Sequence, residues 1–463
     1  MEFEAIAEGL KKDGAFFSAS APVHIARAPG RLDLMGGNDD YTGGLVFEST
    51  IREATWAAAQ LRRDRKVVLK NKTVSDAGWL GDIDIDLDKL ADEEMVRNRA
   101  GSSPSLRWTA YVLGNLHYLL KRYPEQVDSG ITLYMESTVP LNRGVSSSAA
   151  IEVAVMKATA SAYGIVLAGV ELALACQWVE NVIAGSACGI MDQIAVATGR
   201  EGYVMPLVCQ PCNPEPLIKL PGELQIWGID SGVSHQVAGI EYEAARAAAF
   251  MGYKMICDYE RIPVTLTNEA EIPRYTDPQW NGYLANLPRS LFYAKYETLL
   301  PERIGTTQYL VKHGFHTDPF TPLKQGVEYN VRANTRYAVE ENQRVQLFSE
   351  LSRGASLAPS RRAFVLMGEL MYQSHYAYTE CGLGAKATDM LVDCCRRQGV
   401  AGGIYGAKIT GGGAGGTVAI LTDKDSGPLI RRIFEEYAAL GLGDPYLFEG
   451  SSDGADSYGI RVI

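Results

Sequence analysis

The chain contains no run of eighteen apolar residues, so no segment of it is expected to cross a membrane as a helix. It also lacks an excess of positive charge. Lys and Arg number 44 against 55 Asp and Glu, a net charge of −11, which argues against nucleic acid as the main partner. The same balance leaves a phosphate ligand open, because backbone N–H groups and a metal can hold phosphate locally. Cysteine is sparse, with 8 in 463 residues at scattered positions, and this excludes a disulfide framework. Cys209 and Cys212 have the spacing of a metal-ligand pair, but no second such pair follows and Cys394 and Cys395 are adjacent. Reduced thiols in a cytoplasmic protein are therefore expected rather than zinc. The 6 histidines are dispersed. The first residues, MEFEAIAEGL, are acidic and lack the basic-then-apolar order of a signal peptide, so no leader is expected.

What is present is an ordinary globular composition, 46% apolar and 21% charged. A chain of 463 residues exceeds one ordinary core, and two lobes are expected, 1–230 and 231–463. Residues 260–335, rich in Pro, Tyr, Asn and Asp, read as an insertion or hinge. Strands are expected at Val23 to Ala28, Leu45 to Thr50, Ala54 to Leu61, Lys66 to Lys70 and Ser129 to Ser137. Further strands are expected at Gly202 to Leu207 and Leu224 to Ile229, the latter ending in DSGVSH, Asp230 to His235. Helices are expected at Arg107 to Tyr123, Val170 to Ile183, Tyr242 to Tyr259, Ala338 to Leu351, Arg361 to Tyr376, Ala385 to Arg397 and Leu429 to Ala439.

Four stretches carry chemistry. The first is PLNRGVSSSAA, Pro140 to Ala150, followed by an apolar helical stripe that stops at Gly164. One serine explains an N-cap. Three in a row, at the positive end of a helix with Gly144 allowing close approach, make an anion site. A serine-rich helix start without a ligand is the competing reading. The order of a Walker P-loop is absent. The second stretch is APGRLDLMGGNDDYTGG, read as a structured loop from Arg27 to Gly44. Arg31 among glycines can stabilise charge on a phosphoryl oxygen, and Asp40 can accept from sugar hydroxyls. A charged surface turn is the alternative.

The third is Glu180 with Asp192. One carboxylate can hold magnesium while the other takes a proton from an attacking hydroxyl, against a solvated helix face for Glu180. The fourth is TGGGAGG, Thr410 to Gly416, where backbone must pass close to a ligand or another loop; a flexible hairpin is the alternative.

In this order the stretches resemble the GHMP small-molecule kinases. APGRLDLMGGNDDY is similar to the first motif of that superfamily, PLNRGVSSSAA to the second and KITGGGAGG to the third. CGIMDQ around Asp192 and the tyrosine of GIEYEAAR, Tyr242, are similar to the galactokinase branch. VCQPCNPEPLIKLPGELQIWGIDSG, YEAARAAAFMGYKMI, ECGLG and LFEGSSDGADSYG resemble the kinase part of plant-type L-arabinokinases.

The resemblance implies an α+β, two-lobed fold with a ribosomal-protein-like βαβ unit in the N-terminal lobe and a ferredoxin-like C-terminal lobe. It implies ATP as phosphoryl donor, magnesium as cofactor, and a small sugar as the other partner. L-arabinose is the expected sugar, phosphorylated at its anomeric hydroxyl, with D-galactose second; a non-catalytic sugar sensor on the same fold is a further alternative. The implied catalytic pair is Asp192 and Arg31. The sugar would be held by Arg31, Gly37, Asn38, Asp40, Gly189, Asp192 and Tyr242. ATP would lie on Pro140, Gly144, Ser146, Ser147, Ser148 and Ala149, with Trp108 and Tyr111 bordering the adenine and Gly411, Gly412 and Gly413 closing the site. Ser148 and Glu180 would hold the metal. One departure stands out: where galactokinases carry a glutamate and a histidine facing the sugar's hydroxymethyl group, this chain has Gly37 and Asn38, which fits a pentose.

Overall fold

The strand Leu45–Leu61 is 17 residues long and buried along most of its length. Its run of Ala57, Ala58 and Ala59 explains how: small side chains let layers approach from both faces. The computed structural model describes residues 3–12, 16–233, 238–269 and 272–463. Around that strand it builds a nine-stranded sheet. The main strands are β1 (His24–Met35), β2 (Leu45–Leu61), β3 (Lys66–Asn71), β4 (Asp82–Asp86), β5 (Ile131–Ser137) and β6 (Tyr203–Val208). A last short strand, Arg461–Val462, pairs with the outer side of β1, giving an order of Arg461–Val462, β1, β2, β5, β3, β4, with β6 also on β2. All these pairs are antiparallel except β3 with β5.

The helix α1 (Ser147–Ala162) lies across β1 and β2. Every residue from Ala149 to Ala160 is buried, Glu152 and Lys157 included, so α1 is covered on all sides rather than along one stripe, enclosed between a sheet and other helices.

Four more strands form the second sheet: β7 (Leu224–Asp230), β8 (Ile404–Ile409), β9 (Thr417–Asp423) and β10 (Tyr446–Glu449), in the antiparallel order β8, β9, β7, β10. With helices between β7 and β8 and between β9 and β10, this is the ferredoxin-like order, and the two-lobed α+β expectation holds. The lobes meet where Leu32, Leu34, Met35 and Phe47 of the first sheet pack on Val345, Phe348, Phe364, Met367 and Met371. Those partners lie on the long helices Val331–Leu357 and Arg361–Cys381. Residues 260–335 carry two small two-stranded antiparallel sheets and pack on the helix α2 (Ala238–Glu260) around Tyr253, Trp280, Phe292, Tyr296 and Tyr309.

The structure differs from the sequence reading in three places. Arg27 to Met35, read as loop, continues β1; bulges between Pro29 and Arg31 and between Asp33 and Met35 absorb the glycine and proline. Leu45 to Thr50 and Ala54 to Leu61 are one strand. It bridges two partners, pairing with β6 over Leu45 to Glu48 and with β5 over Thr55 to Leu61, and the polar Arg52 and Glu53 fall between those ladders. Leu224–Asp230, placed in the first lobe by a boundary at 230, begins the second sheet, and Arg461–Val462 returns to the first. Ser234 and His235 of DSGVSH lie outside the described residues. Among the described residues no helix is long and apolar enough to cross a membrane.

Candidate active site

Arg31 stands on β1 at the point where three loops converge. Gly30 precedes it, and a side chain there would overlap the Val145 carbonyl and Ile51. That close approach lets the Arg31 N–H donate to Val145 O at 3.1 Å and ties β1 to the serine loop. The guanidinium then forks. Nε and Nη2 donate to Asp192 Oδ1 at 2.9 and 2.7 Å, and Nη1 donates to Gly144 O at 2.8 Å. Glu48, fully buried on β2 and paired in register with Asp33, lies 3.4 Å from Nε. Burial alone lowers the affinity of Arg31 for its proton, but the charges of Asp192, Glu48 and Asp33 outweigh that, so the guanidinium stays charged.

Asp192 sits in the first turn of the helix Met191–Thr198, where a carboxylate suits the positive helix end. Glu180 occupies a π-helical turn, Val179–Ile183, that extends the helix Gly169–Trp178; such turns often mark functional positions. Glu180 is buried, accepts from Gln193 Nε2 at 2.6 Å and is hydrogen-bonded by Ser148. Burial first, then the charge of Asp192, push its carboxyl up to about 7. The same Gln193 Nε2 donates to Glu152 at 3.2 Å, a fully buried carboxyl on α1 that burial and Glu180 push well above the usual range.

The serine loop turns into α1 through Ser146, which has a left-handed backbone (φ 61). Its hydroxyl is buried and has no hydrogen-bond partner among the described residues. A strained residue and an orphaned hydroxyl at a helix start are features a ligand can satisfy. The first N–H groups of α1 have no intrahelical acceptor. Gly144 is exposed with φ 73, open to an incoming anion.

The glycine loop closes over this from the second lobe. Side chains at Gly411 or Gly416 would press on the carbonyls of Gly144 and Arg143, and Thr417 Oγ1 donates to Arg143 O at 2.8 Å. Beneath it Lys408 and Asp33 form a fully buried ion pair at 2.7 Å, and Tyr378 donates to Gly411 O at 2.8 Å.

At the other end of the cleft, Asp40 accepts from the Tyr41 N–H at 2.8 Å and lies against Gly189, where any side chain would overlap its carboxylate. Burial, then Asp192, raise its carboxyl to about 6. Tyr242, on α2, faces Gly412 and meets the Tyr41 ring edge-on at 5.9 Å. Asn38, with φ 61, reaches Gly412 O at 3.4 Å, and its Oδ1 is buried without a partner among the described residues. A side chain at Gly37 would overlap the Asp33 carboxylate and the Tyr378 hydroxyl.

Arg31, Asp192, Gly144, Ser148, Glu180 and the glycine loop thus come together, and Asp40, Gly189, Tyr242 and Asn38 form a neighbouring group. Tyr111 is half-buried in the field of Glu180 and Glu152. Trp108 is packed in the first lobe's core, with its Nε1 donating to Leu80 O at 3.0 Å. Pro140 is half-buried at the start of the serine loop. Sequence reasoning missed Glu48, Glu152, Gln193, Asp33 and Lys408. The strand period of β1 signals one of them, since Arg31 and Asp33 must share a face.

Residues 110–200 match the GHMP kinases N terminal domain, residues 14–61 the galactokinase galactose-binding signature, and residues 356–439 the GHMP kinases C terminal region. The chain is 34% identical to the L-arabinokinase of Arabidopsis thaliana over 98% of its own length, and spans 48% of that relative. It is 30% identical to the galactokinase of Chloroflexus aurantiacus, over 87% of this chain and 85% of the relative. Lactococcus lactis galactokinase, solved in complex with galactose, shares the fold with a TM-score of 0.75 at 22% identity, covering 97% of this chain and 99% of that one. A mevalonate kinase shares it with a TM-score of 0.54 at 15% identity, covering 93% and 99%.

Proposed function

Because the chain belongs to the GHMP kinases, in the branch of the galactokinases and L-arabinokinases, we propose that it transfers the γ-phosphoryl group of ATP to the anomeric hydroxyl of L-arabinose. The products are L-arabinose 1-phosphate and ADP. The observation that carries the reading is the fork of Arg31, which holds Asp192 with two nitrogens and the serine loop with the third.

In phosphoryl transfer the protein's work is positioning and charge stabilisation. Arg31 occupies only Oδ1 of Asp192, and Oδ2 is left to accept the proton of the anomeric hydroxyl. The guanidinium, at hydrogen-bond distance from both Asp192 and the serine loop, is placed to meet charge on the phosphoryl oxygens. Ser146, Ser147, Ser148 and Ala149 present helix-start N–H groups to the ATP phosphates.

The donor set fits magnesium. Ser148 and Glu180 are hydrogen-bonded to each other, and the Glu180 carboxyl lies in a cluster with Glu152 and Asp192 whose summed negative charge a cation would balance. Among the described residues no three acidic, His or Cys side chains form a metal site by themselves. That suits an ion which takes one or two protein oxygens and completes its shell with phosphate and water. Bound with ATP, magnesium would neutralise phosphate charge. Ser148→Ala is expected to weaken the binding of magnesium–ATP by about tenfold while sugar binding changes little, as measured by calorimetry with each ligand alone. Equal weakening of both ligands assigns the hydroxyl to the loop's architecture instead.

The pentose is supported by the crowding at Gly37. Asp33 and Tyr378 leave no room there for a side chain that could bond a hydroxymethyl group. A site built to bond a hydroxyl rejects analogues lacking it, and a site without that partner has no reason to reject the pentose. In competition kinetics L-arabinose is expected to show the higher kcat/KM. If D-galactose wins by about tenfold or more, the galactokinase reading replaces this one, with the same ATP site.

A further inference from the structure

One buried pair in the cleft belongs to none of the four motifs. Arg246, one helical turn after Tyr242 on α2, is 4% exposed. Its Nε donates to Asp318 Oδ2 at 2.6 Å and its Nη2 to Asp318 Oδ1 at 3.1 Å. Asp318 comes from the 260–335 region, and its loop is braced from within. The Asp318 N–H donates to His316 Nδ1 at 3.1 Å, which leaves the His316 proton on Nε2 to donate to Thr321 O at 2.8 Å. Phe320 N–H donates to Asp318 Oδ1 at 3.1 Å, and Thr317 Oγ1 donates to Phe250 O at 3.2 Å. The carboxylate is therefore held by its own loop and by α2 as well as by Arg246.

Held this way, the guanidinium lies 4.8 Å from the Tyr41 ring centroid, a cation–π distance. Tyr41 in turn supports both sugar-end residues: its N–H binds Asp40 and its ring edge meets Tyr242. The positive charge of Arg246 also counters the burial that raises the Asp40 carboxyl. Arg246 is also hydrogen-bonded to the Tyr242 side chain. Arg246 and Asp318 line a cavity of about 240 Å³ together with Asp40, Tyr41 and Gly189. A guanidinium pre-set by Asp318, in contact with Tyr41 and Tyr242 and lining the same cavity as Asp40, is placed to hold the sugar-end side chains in position.

We propose that the Asp318–Arg246 pair is a positioning device of the sugar subsite, through which the 260–335 region sets sugar affinity by holding Asp40, Tyr41 and Tyr242. The proposal rests on the sugar-kinase reading above. A bidentate guanidinium cannot be replaced by an ammonium without losing the fork. Arg246→Lys and Asp318→Asn are therefore both expected to raise the sugar Kd about tenfold. The Kd for magnesium–ATP and the kcat at saturating sugar should stay within about twofold.

Calorimetry with L-arabinose and D-galactose on wild type and both variants is the test, with thermal denaturation in parallel. If the wild type binds neither sugar, the sugar-kinase reading falls. If the wild type binds sugar and both folded variants bind it equally well, or lose ATP in parallel, the pair is structural and the inference is overturned. Should Asp318→Asn fail to fold, Arg246→Lys decides alone.

Discussion

Asp192→Asn is expected to lower kcat by two orders of magnitude or more while leaving the fold and ATP binding in place. The asparagine keeps the shape that Arg31 holds and can still accept from Nε and Nη2 through its carbonyl oxygen. It cannot take a proton from the anomeric hydroxyl, because the second group is now an amide donor. Loss of a positioned base typically costs about 10²–10⁴-fold. The measurement is single-turnover phosphorylation at saturating ATP and sugar, with ATP affinity determined alongside. Near-normal turnover would remove the base assignment and leave Asp192 an anchor for Arg31.

The second large effect is on stability. Lys408 and Asp33 are joined at 2.7 Å with both side chains fully buried. Lys408→Met fills the same space without charge and strands the Asp33 carboxylate, whose Oδ1 already has no partner among the described residues. Breaking a buried pair from one side costs about 3–5 kcal/mol. That loss should appear as an earlier urea midpoint with the slope unchanged. Replacing both partners, Asp33→Asn with Lys408→Met, is expected to recover part of it, because no charge is then left unpaired. If the single variant costs less than about 1 kcal/mol, water or a rearranged neighbour satisfies Asp33 and the pair does not brace the two motifs.

These two residues also mark the limit of what the sequence reveals. Asp192 is legible because its surroundings are local: a glycine turn, an apolar GIMDQI run and a single acid that must find a partner. The serine loop is legible for the same reason, since consecutive serines at a helix start are turn chemistry. Lys408 is not, because its meaning depends on Asp33, 375 residues away in sequence. Glu48 reads as a strand residue until the register of β1 on β2 sets it opposite Asp33 and beside Arg31. Gly37 invites a reading as a lost sugar contact. The structure adds a steric cause, since Asp33 and Tyr378 occupy the space a side chain would need. Asp318 is not legible because the 260–335 region shows no period of its own and its folding depends on aromatic packing against α2, and Arg246, though inside GIEYEAAR, takes its meaning from that distant partner.

The return of the chain's last residues to the first sheet has a consequence for how the protein is made. Arg461–Val462 supplies the outer neighbour of β1. On the way there Ser452 O accepts from Thr50 Oγ1 at 2.5 Å, Gly454 N–H donates to Gly199 O at 2.8 Å, and Asp456 pairs with Lys157 while accepting from Gly169 N–H at 2.6 Å. A ribosome delivers His24 of β1 438 residues before Val462, the residue it pairs with. Throughout translation of the intervening residues the edge of β1 is open, and the first lobe emerges unfinished. Closing so long a loop is slow relative to local helix formation, and an open strand edge is a site for wrong pairing between nascent chains. The lobe that carries the serine loop therefore reaches its final form only after residues 450–463 have been made, and a protease nick within them strips contacts from the first lobe rather than the second.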